Sequence, residues 1–198
     1  MSERTDLSSF SFAPIMDYPK KMQQVDLSNG ADEEKLEAIE WGAGGYNEKR
    51  KGMYLAPHFE GKRYIHMGID IWADAGQPVY AFCDGKVAYA GDNDRQGDYG
   101  GTIVTVHELG DETLFALYGH LSKASPERVE AGDLITAGEK IGELGAKEEN
   151  GGWIPHLHFQ LSWKDPKEAD MPGVVSDADH ASALETYPDP KLVLGNLF

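Results

Sequence analysis

Hydrophobic and polar positions alternate along the stretch "IPHLHFQLSW", residues 154–163. Leu157 and Phe159 fall on one face of an extended strand and His156 and His158 on the other, because successive side chains of a strand point to opposite faces. The apolar face predicts packing on a core. The two imidazoles leave the other face in the same direction, with Cα atoms roughly 6.6–6.8 Å apart. One ring could bind a metal ion while the other contacts a molecule bound to that ion. The simpler alternative is that both histidines are solvated on a polar face of the strand.

A second stretch, "YIHMGIDIW" at residues 64–72, repeats this pattern, with His66 and Asp70 on one face and isoleucines on the other. In a fully extended strand their Cα atoms would be roughly 13 Å apart. That separation nearly exhausts the reach of the two side chains to one ion, since zinc–ligand bonds are only about 2 Å long. A glycine between them allows a bulge or bend that shortens the distance. The sequence therefore predicts irregular backbone at Gly68.

A fifth candidate, His120 in "LYGHLS", lies between the two stretches and is predicted at the end of a strand. This histidine alone does not indicate a function. Together with the other three histidines and the aspartate, however, it forms a set of side chains that suits zinc. Catalytic zinc typically has three protein ligands and an open position for water. A structural zinc site is closed by four ligands and is usually rich in cysteine, whereas this chain has only Cys83.

The three motifs together resemble the lysostaphin/LytM-like zinc endopeptidases. H-x-x-x-D in "HMGID", the central "YGHLS" and H-x-H in "PHLHF" occur in the order and approximate spacing of that family, over residues 63–163. The resemblance implies a mainly β fold, an antiparallel sandwich or open barrel with a duplicated hybrid motif. It also implies one Zn²⁺ per chain and hydrolysis of peptide bonds, characteristically in peptidoglycan cross-bridges.

Site roles follow from the same resemblance, motif by motif. His66 and Asp70 would be metal ligands from H-x-x-x-D, and His158 would be the third ligand. His120 and His156 would be the catalytic pair. The chemistry is consistent, because zinc lowers the pKa of a bound water molecule from 15.7 to about 7. An uncoordinated imidazole can take its proton and pass it to the leaving amine.

Short β segments separated by glycines run from about residue 61. Two of the turns predict tight hairpins, one at Asp84–Gly85 and one near Gly110–Asp111. In "VTVHEL", His107 alternates with valines, which predicts that its ring faces solvent. Short strands at such spacing indicate an antiparallel sandwich or an open barrel.

The two ends of the chain differ from this central part. A short helix is predicted near 31–41, capped at Ser28 or Asn29. The glycine-rich "WGAGGYNEKR" lacks a phosphate-loop pattern and is interpreted as a loop. The predicted organisation is an N-terminal extension over 1–60, a β domain over 61–164, and a C-terminal loop and tail over 165–198 that pack on it.

Composition narrows the function classes. The 198 residues include 34 acidic and 18 basic ones, for a net charge of −16, which argues against binding to nucleic acid or to an anionic membrane. No apolar run approaches the roughly 20 residues of a membrane span. The first residues lack the basic start and apolar stretch of a secretory signal, and the single cysteine agrees with a reducing compartment, so the sequence predicts a cytoplasmic protein.

Three functional hypotheses remain. The first is a zinc peptidase, or a related amidohydrolase, acting on a small peptide or a peptidoglycan fragment. The second is a wall hydrolase exported by a route that the sequence does not reveal. The third is a metal-stabilised binding or regulatory module without turnover, since a fold alone does not fix function. All five site positions are present, which favours the peptidase, and the sequence leaves the oligomeric state open.

Overall fold

Strands dominate the computed structural model, which describes residues 7–56, 59 and 61–198. The strands are β1 (Gln23–Gln24), β2 (Gly42–Gly44), β3 (Glu48–Lys49), β4 (Ile65–His66), β5 (Ile69–Trp72), β6 (Pro78–Tyr80), β7 (Gly85–Asn93), β8 (Gly100–Leu109), β9 (Glu112–Leu121), β10 (Leu134–Ile135), β11 (Lys140–Glu143), β12 (His156–Ser162) and β13 (Val174–Val175). The helical segments are α1 (Glu33–Glu37), α2 (His180–Thr186), α3 (Lys191–Leu194) and the 3-10 turns Leu7–Ser9 and Pro126–Arg128.

Eight of these strands form one sheet in the order β1-β2-β5-β12-β9-β8-β7-β10. Adjacent strands in this sheet are antiparallel, except for β1 and β2, which run parallel. Two small sheets, β11-β6 and β13-β4-β3, lie beside it. The eight-stranded sheet has two edges and does not close, so the predicted mainly antiparallel β fold is confirmed in its open form.

The alternation along β12 places the core as predicted. Leu157, Phe159 and Leu161 are fully buried and pack within the principal hydrophobic cluster. The opposite face is also covered, because His156 and His158 are only 7% and 2% exposed. The simpler alternative of two solvated histidines is therefore wrong.

One predicted hairpin is confirmed and the other is wrong. Strands β8 and β9 pair antiparallel across Gly110–Asp111, and Gly110 has a φ of 66°. At Asp84–Gly85 no hairpin forms, because β6 pairs with β11 while β7 pairs with β8 and β10. Gly85 lies against the carbonyl of Val106 and the ring of His107, where a β-carbon has no room. This glycine permits close packing between strands and does not serve a tight turn.

The predicted N-terminal helix is present but shorter, and its cap is different. Helix α1 begins after Asp32, whose side chain accepts a hydrogen bond from a backbone N–H of the first turn. Ser28 and Asn29 are not the cap, because Gly30 follows them in a left-handed conformation with a φ of 100°. The chain therefore turns before the helix can start.

Strands from both ends of the chain complete the sheets beside the candidate site. Strand β2 pairs with β5, and Gly44 lies opposite Asp70. Strand β3 pairs with β4, and Glu48 lies opposite His66. Strand β13, from the C-terminal part, pairs with the other edge of β4. The boundaries near residues 60 and 164 stay a prediction.

The helices of the described residues are short, and none is long and apolar enough to cross a membrane. The longest, α2, has seven residues. The cytoplasmic location stays a prediction.

His107 does not face solvent, contrary to the expectation from its alternation with valines. Its side chain is fully buried, and the ring lies 4.2 Å from that of Phe82. Nε2 lies 2.7 Å from Oγ1 of Thr105, and Nδ1 lies 2.9 Å from the carbonyl oxygen of Asp84. The crossing segment at Phe82–Asp84 covers this face of β8, and the two hydrogen bonds satisfy the buried ring.

The burial of His107 predicts a loss of stability in mild acid. Burial lowers the pKa of His107 below its ordinary value of 6.5. Between that lowered pKa and pH 6.5 the unfolded chain binds the proton and the folded chain does not, so the free energy of unfolding falls as the pH drops through 6.5. Urea unfolding between pH 7.5 and 5 should show a smaller decrease for His107→Gln than for the wild type. Equal decreases in the two proteins would contradict this prediction.

Candidate metal and catalytic site

Strand pairing brings the predicted residues together from distant parts of the sequence. Asp70 on β5 lies directly opposite His158 on β12, and residues so paired have Cβ atoms about 4.5–5.5 Å apart. His156 lies two residues away on the same face of β12. Strand β9 pairs with the other edge of β12 and carries His120 at its end. All four side chains therefore face one region of the structure.

His66 reaches this region because the chain bends at Gly68. Strand β4 ends at His66 in the small sheet, and β5 begins at Ile69 in the large one, so the predicted irregularity is confirmed. A β-carbon on Gly68 would lie 2.6 Å from Cε1 and Nε2 of His158. The glycine thus allows the bend and also leaves room for the ring of His158.

Three donor atoms converge within this region. Nε2 of His66 lies 2.9 Å from Nδ1 of His158. Oδ1 of Asp70 lies 3.3 Å from the first of these atoms and 3.2 Å from the second. Tetrahedral ligands bonded to zinc at about 2.0–2.2 Å are separated by about 3.3 Å. The spacing and the chemistry of the three donors therefore fit a divalent transition-metal ion.

Hydrogen bonds on the far side of each ring set the tautomers that metal binding requires. Nδ1 of His66 donates to the carbonyl oxygen of Gly45 at 2.9 Å, which leaves a lone pair on Nε2. Nε2 of His158 donates to Oε1 of Gln160 at 3.0 Å, which leaves a lone pair on Nδ1. Gln160 is oriented in turn, since its amide nitrogen donates to the carbonyl oxygen of Pro172. Such outer partners orient the ligands and fix their protonation.

His120 and His156 form a separate pair beside these donors. Their ring centroids are 4.3 Å apart. His120 has a left-handed φ of 60°, at the end of β9 where the pairing with β8 shifts register, and such irregularities redirect side chains at functional sites. Nδ1 of His120 donates to the carbonyl oxygen of Asn150 at 2.9 Å, and Nδ1 of His156 donates to that of Ile154 at 2.7 Å. Both Nε2 atoms are left as proton acceptors.

Burial sets the charges of the site. Burial, followed by the charge of Arg50, lowers the pKa of His66 to about 4. Burial also lowers the pKa values of His120 and His156. Burial alone would raise the pKa of Asp70, but the neighbouring His66 and Arg50 outweigh it and hold this pKa well below its usual range. At neutral pH these three imidazoles are neutral and the carboxylate is ionised, as binding of a cation requires.

The site opens into a cleft of about 660 Å³, a size typical of small-molecule and peptide pockets. Aromatic side chains form much of its wall. The ring of Trp72 stacks on that of His156 with centroids 5.5 Å apart, and Tyr54 meets Trp153 edge to face at 6.2 Å. Aromatic side chains next to a cluster of polar donors suit an extended peptide.

The residues that surround the donors carry no recognisable signal in the sequence. The segment "WGAGGYNEKR", predicted as a loop, contributes β2, β3 and a buried arginine. Nη1 of Arg50 lies 2.6 Å from Oδ2 of Asp70, and its Nε lies 2.6 Å from Oε2 of Glu48. Arg50 stands between two lysines, which gives the pattern of a solvated charge run. Only the strand pairing of this segment reveals its role.

Gly68→Ala should damage the candidate metal site and leave most of the fold intact. The added methyl group would overlap the ring of His158 and displace its Nδ1 from the other donors. We expect zinc affinity to fall by at least about tenfold, comparable with the loss of an outer partner. Gly91→Ala is the matched control, since its new β-carbon makes only an ordinary contact, 3.4 Å from Cβ of Ala169. Competition with a chromophoric chelator measures both variants, and equal affinities would contradict the prediction.

A known protein family matches the part of the chain that holds this candidate site. The model of peptidase family M23 matches residues 64–171, a span that contains all five candidate residues. This match covers more than half of the chain, and the chain belongs to peptidase family M23. The resemblance to lysostaphin/LytM-like enzymes is thereby confirmed.

Curated relatives share the same region. DD-carboxypeptidase/endopeptidase Mpg of Neisseria meningitidis is 38% identical over 96 residues, which cover 48% of this chain and 20% of Mpg. Peptidoglycan DD-endopeptidase ShyB of Vibrio cholerae is 33% identical over 132 residues, or 65% of this chain and 27% of ShyB. The chain therefore spans about a fifth to a quarter of the length of these relatives. The catalytic domain of lysostaphin from Staphylococcus simulans, a solved structure, has a TM-score of 0.49 and 26% identity over 76% of this chain and 98% of that domain.

Proposed function

We propose that this protein is a zinc-dependent peptidase that hydrolyses an amide bond in peptidoglycan-derived or similar peptides. The observation that carries the proposal is the convergence of three donor atoms, 2.9–3.3 Å apart, beside two further neutral imidazoles in one cleft. Membership of peptidase family M23 supports the reaction class.

His66, Asp70 and His158 would hold the zinc ion. A bound zinc ion supplies a Lewis acid that polarises the scissile carbonyl and lowers the pKa of a water molecule. The protein contributes two neutral nitrogen donors and one carboxylate to it. A single carboxylate leaves the complex of ion and ligands positively charged, which favours the deprotonated form of the water.

His156 and His120 would carry the protons. In the resting protein, Nδ1 of each ring donates to a backbone carbonyl, so each Nε2 can accept a proton. Nε2 of His156 lies 3.8 Å from Oδ1 of Asp70 and is therefore close to the donors. The ring that takes the proton of the attacking water becomes a donor to the developing oxyanion and then to the leaving nitrogen. Hydroxyl adds to the carbonyl carbon, the C–N bond breaks, and the amine leaves with the transferred proton.

The substrate class is inferred from the relatives and the cleft. Mpg and ShyB are named for cleavage in DD-linked peptides or peptidoglycan, and the aromatic cleft has room for several residues of an extended peptide. The net charge of −16 repels anionic wall polymers at low ionic strength. Assays should therefore be run near 0.15 M salt, where the Debye length is about 8 Å and this repulsion is screened.

Incubation of the zinc-loaded protein with purified cross-linked peptidoglycan, and with its soluble cross-linked peptide fragments, tests the proposal. Mass spectrometry of the products should show a new amine and a new carboxylate, with one water added for each cleavage. His156→Ala should retain zinc and lose roughly 10²–10⁴ in rate, the usual contribution of general acid–base catalysis. Intact substrates throughout, with zinc bound, would contradict the proposal and favour the metal-stabilised binding module.

A further inference from the structure

A buried arginine connects the N-terminal strands to a proposed metal ligand. Arg50 is 3% exposed, and its guanidinium bridges two carboxylates, those of Glu48 and Asp70. Each ion pair is 2.6 Å long. Buried charges are costly unless paired, so this arrangement requires both partners.

The two oxygens of Asp70 have separate partners. Oδ2 accepts the hydrogen bond from Nη1 of Arg50. Oδ1 faces Nδ1 of His158 at 3.2 Å and Nε2 of His66 at 3.3 Å. The arginine thus holds one oxygen away from the metal position and directs the other toward it. A carboxylate in this orientation can offer one ligand atom and cannot turn to offer both.

The surroundings fix the guanidinium in place. A β-carbon at Gly45 would overlap Nη2 of Arg50, so only glycine allows the arginine to lie here. Nη1 also donates to the hydroxyl of Tyr54 at 3.2 Å. Nη2 is buried without a hydrogen-bond partner among the described residues. The close approach of Gly45 and the hydroxyl of Tyr54 therefore hold the fork of the guanidinium on the two carboxylates.

The charge of Arg50 would by itself disfavour a nearby cation. Glu48 offsets that charge, since its Oε2 lies 2.6 Å from Nε of the arginine. The Glu48–Arg50 pair has no net charge, so it repels a cation less than the arginine alone would. What the pair contributes is the fixed direction of the Asp70 carboxylate.

We propose that Arg50 is a positioning residue for the metal site: it holds Asp70 as a ligand through one oxygen, while Glu48 offsets part of the charge of the arginine. This inference rests on the proposed zinc site and extends it to a residue outside the family match, which begins at residue 64. The N-terminal segment 42–50 is then part of the functional site, because Gly45 also accepts the hydrogen bond of His66.

Zinc affinity, measured without any substrate, tests the proposal. Competition with a chromophoric chelator should show that Arg50→Met weakens zinc binding about 10- to 100-fold, the usual effect of losing an outer partner. Arg50→Lys should recover part of this loss, since lysine keeps the charge without the planar fork. Arg128→Met is the matched control, because Arg128 is exposed and its carboxylate partner lies 3.8 Å away; its affinity should equal that of the wild type.

Cobalt(II), bound in place of zinc, reports the geometry directly. A carboxylate released by Arg50→Met can turn and bind through both oxygens, so the visible absorption of the cobalt protein should weaken and shift as the coordination number rises. The double variant Glu48→Gln with Arg50→Met removes the unpaired carboxylate at Glu48 and covers the case in which the single variant does not fold. In a folded double variant, the weak zinc binding and the changed spectrum should persist.

Wild-type zinc affinity and an unchanged cobalt spectrum in a folded Arg50→Met or double variant would overturn the proposal. A different experimental result would show that the proposed peptidase function is wrong. A wild-type protein that binds zinc but cleaves no peptide would contradict the peptidase and leave the Arg50 effect on affinity measurable.

Discussion

His158→Ala should abolish zinc binding and peptidase activity together. Its Nδ1 lies within 3.2 Å of both other donor atoms, and these two cannot close a catalytic zinc site alone. The purified variant should contain almost no zinc, against about one equivalent in the wild type, the content of a mononuclear catalytic site. Elemental analysis and the rate of peptide hydrolysis measure the two losses.

His180→Ala is the control for this experiment. His180 lies at the start of α2, is partly exposed and does not belong to the donor cluster. It should keep both zinc and activity. Because His158 is buried, circular dichroism is needed to show that the alanine variant is folded. A folded His158→Ala protein with a full equivalent of zinc would contradict the ligand assignment.

His120→Ala should separate catalysis from metal binding. His120 supplies none of the three donor atoms, so the zinc content should remain that of the wild type. The hydrolysis rate should fall by at least about 10², the lower end of the usual contribution of a proton-transfer group. Single-turnover rates at matched zinc loading measure the effect on the chemical step.

The backbone at His120 requires a second variant. Its φ of 60° is unfavourable for alanine, whereas asparagine adopts this conformation more readily. His120→Asn should therefore preserve the bulge and the fold while removing the imidazole. Loss of zinc from a folded His120→Asn protein, or a rate equal to that of the wild type, would contradict the proposed role.

The local parts of the site could be predicted from the sequence. The period of two in a strand determines that His156 and His158 share a face, whatever else the chain does. The bend at Gly68 follows from the limited reach of His66 and Asp70 to one ion. Both inferences require only neighbouring residues and standard geometry, and the structure confirms both.

The supporting residues depend on contacts between distant segments. Arg50 is an ordinary charged residue in sequence, and it becomes buried only because β2 and β3 pair with β5 and β4. The alternation of His107 with valines predicts a residue that faces solvent, but the segment at Phe82 covers its ring. The Asp84–Gly85 pair favours a hairpin locally, yet the pairing of β6 with β11 prevents one. In each case tertiary packing outweighs the local signal.

Removal and restoration of zinc during peptide hydrolysis tests the central claim most directly. The wild-type protein is freed of metal with a chelator, dialysed, and titrated with zinc while cleavage of the cross-linked peptide fragments is followed by mass spectrometry. Hydrolysis should stop without metal and return in full at about one equivalent of zinc, as for a mononuclear site. Hydrolysis that continues in the metal-free protein, or stays absent in the zinc-loaded one, would contradict the proposed zinc-dependent peptidase.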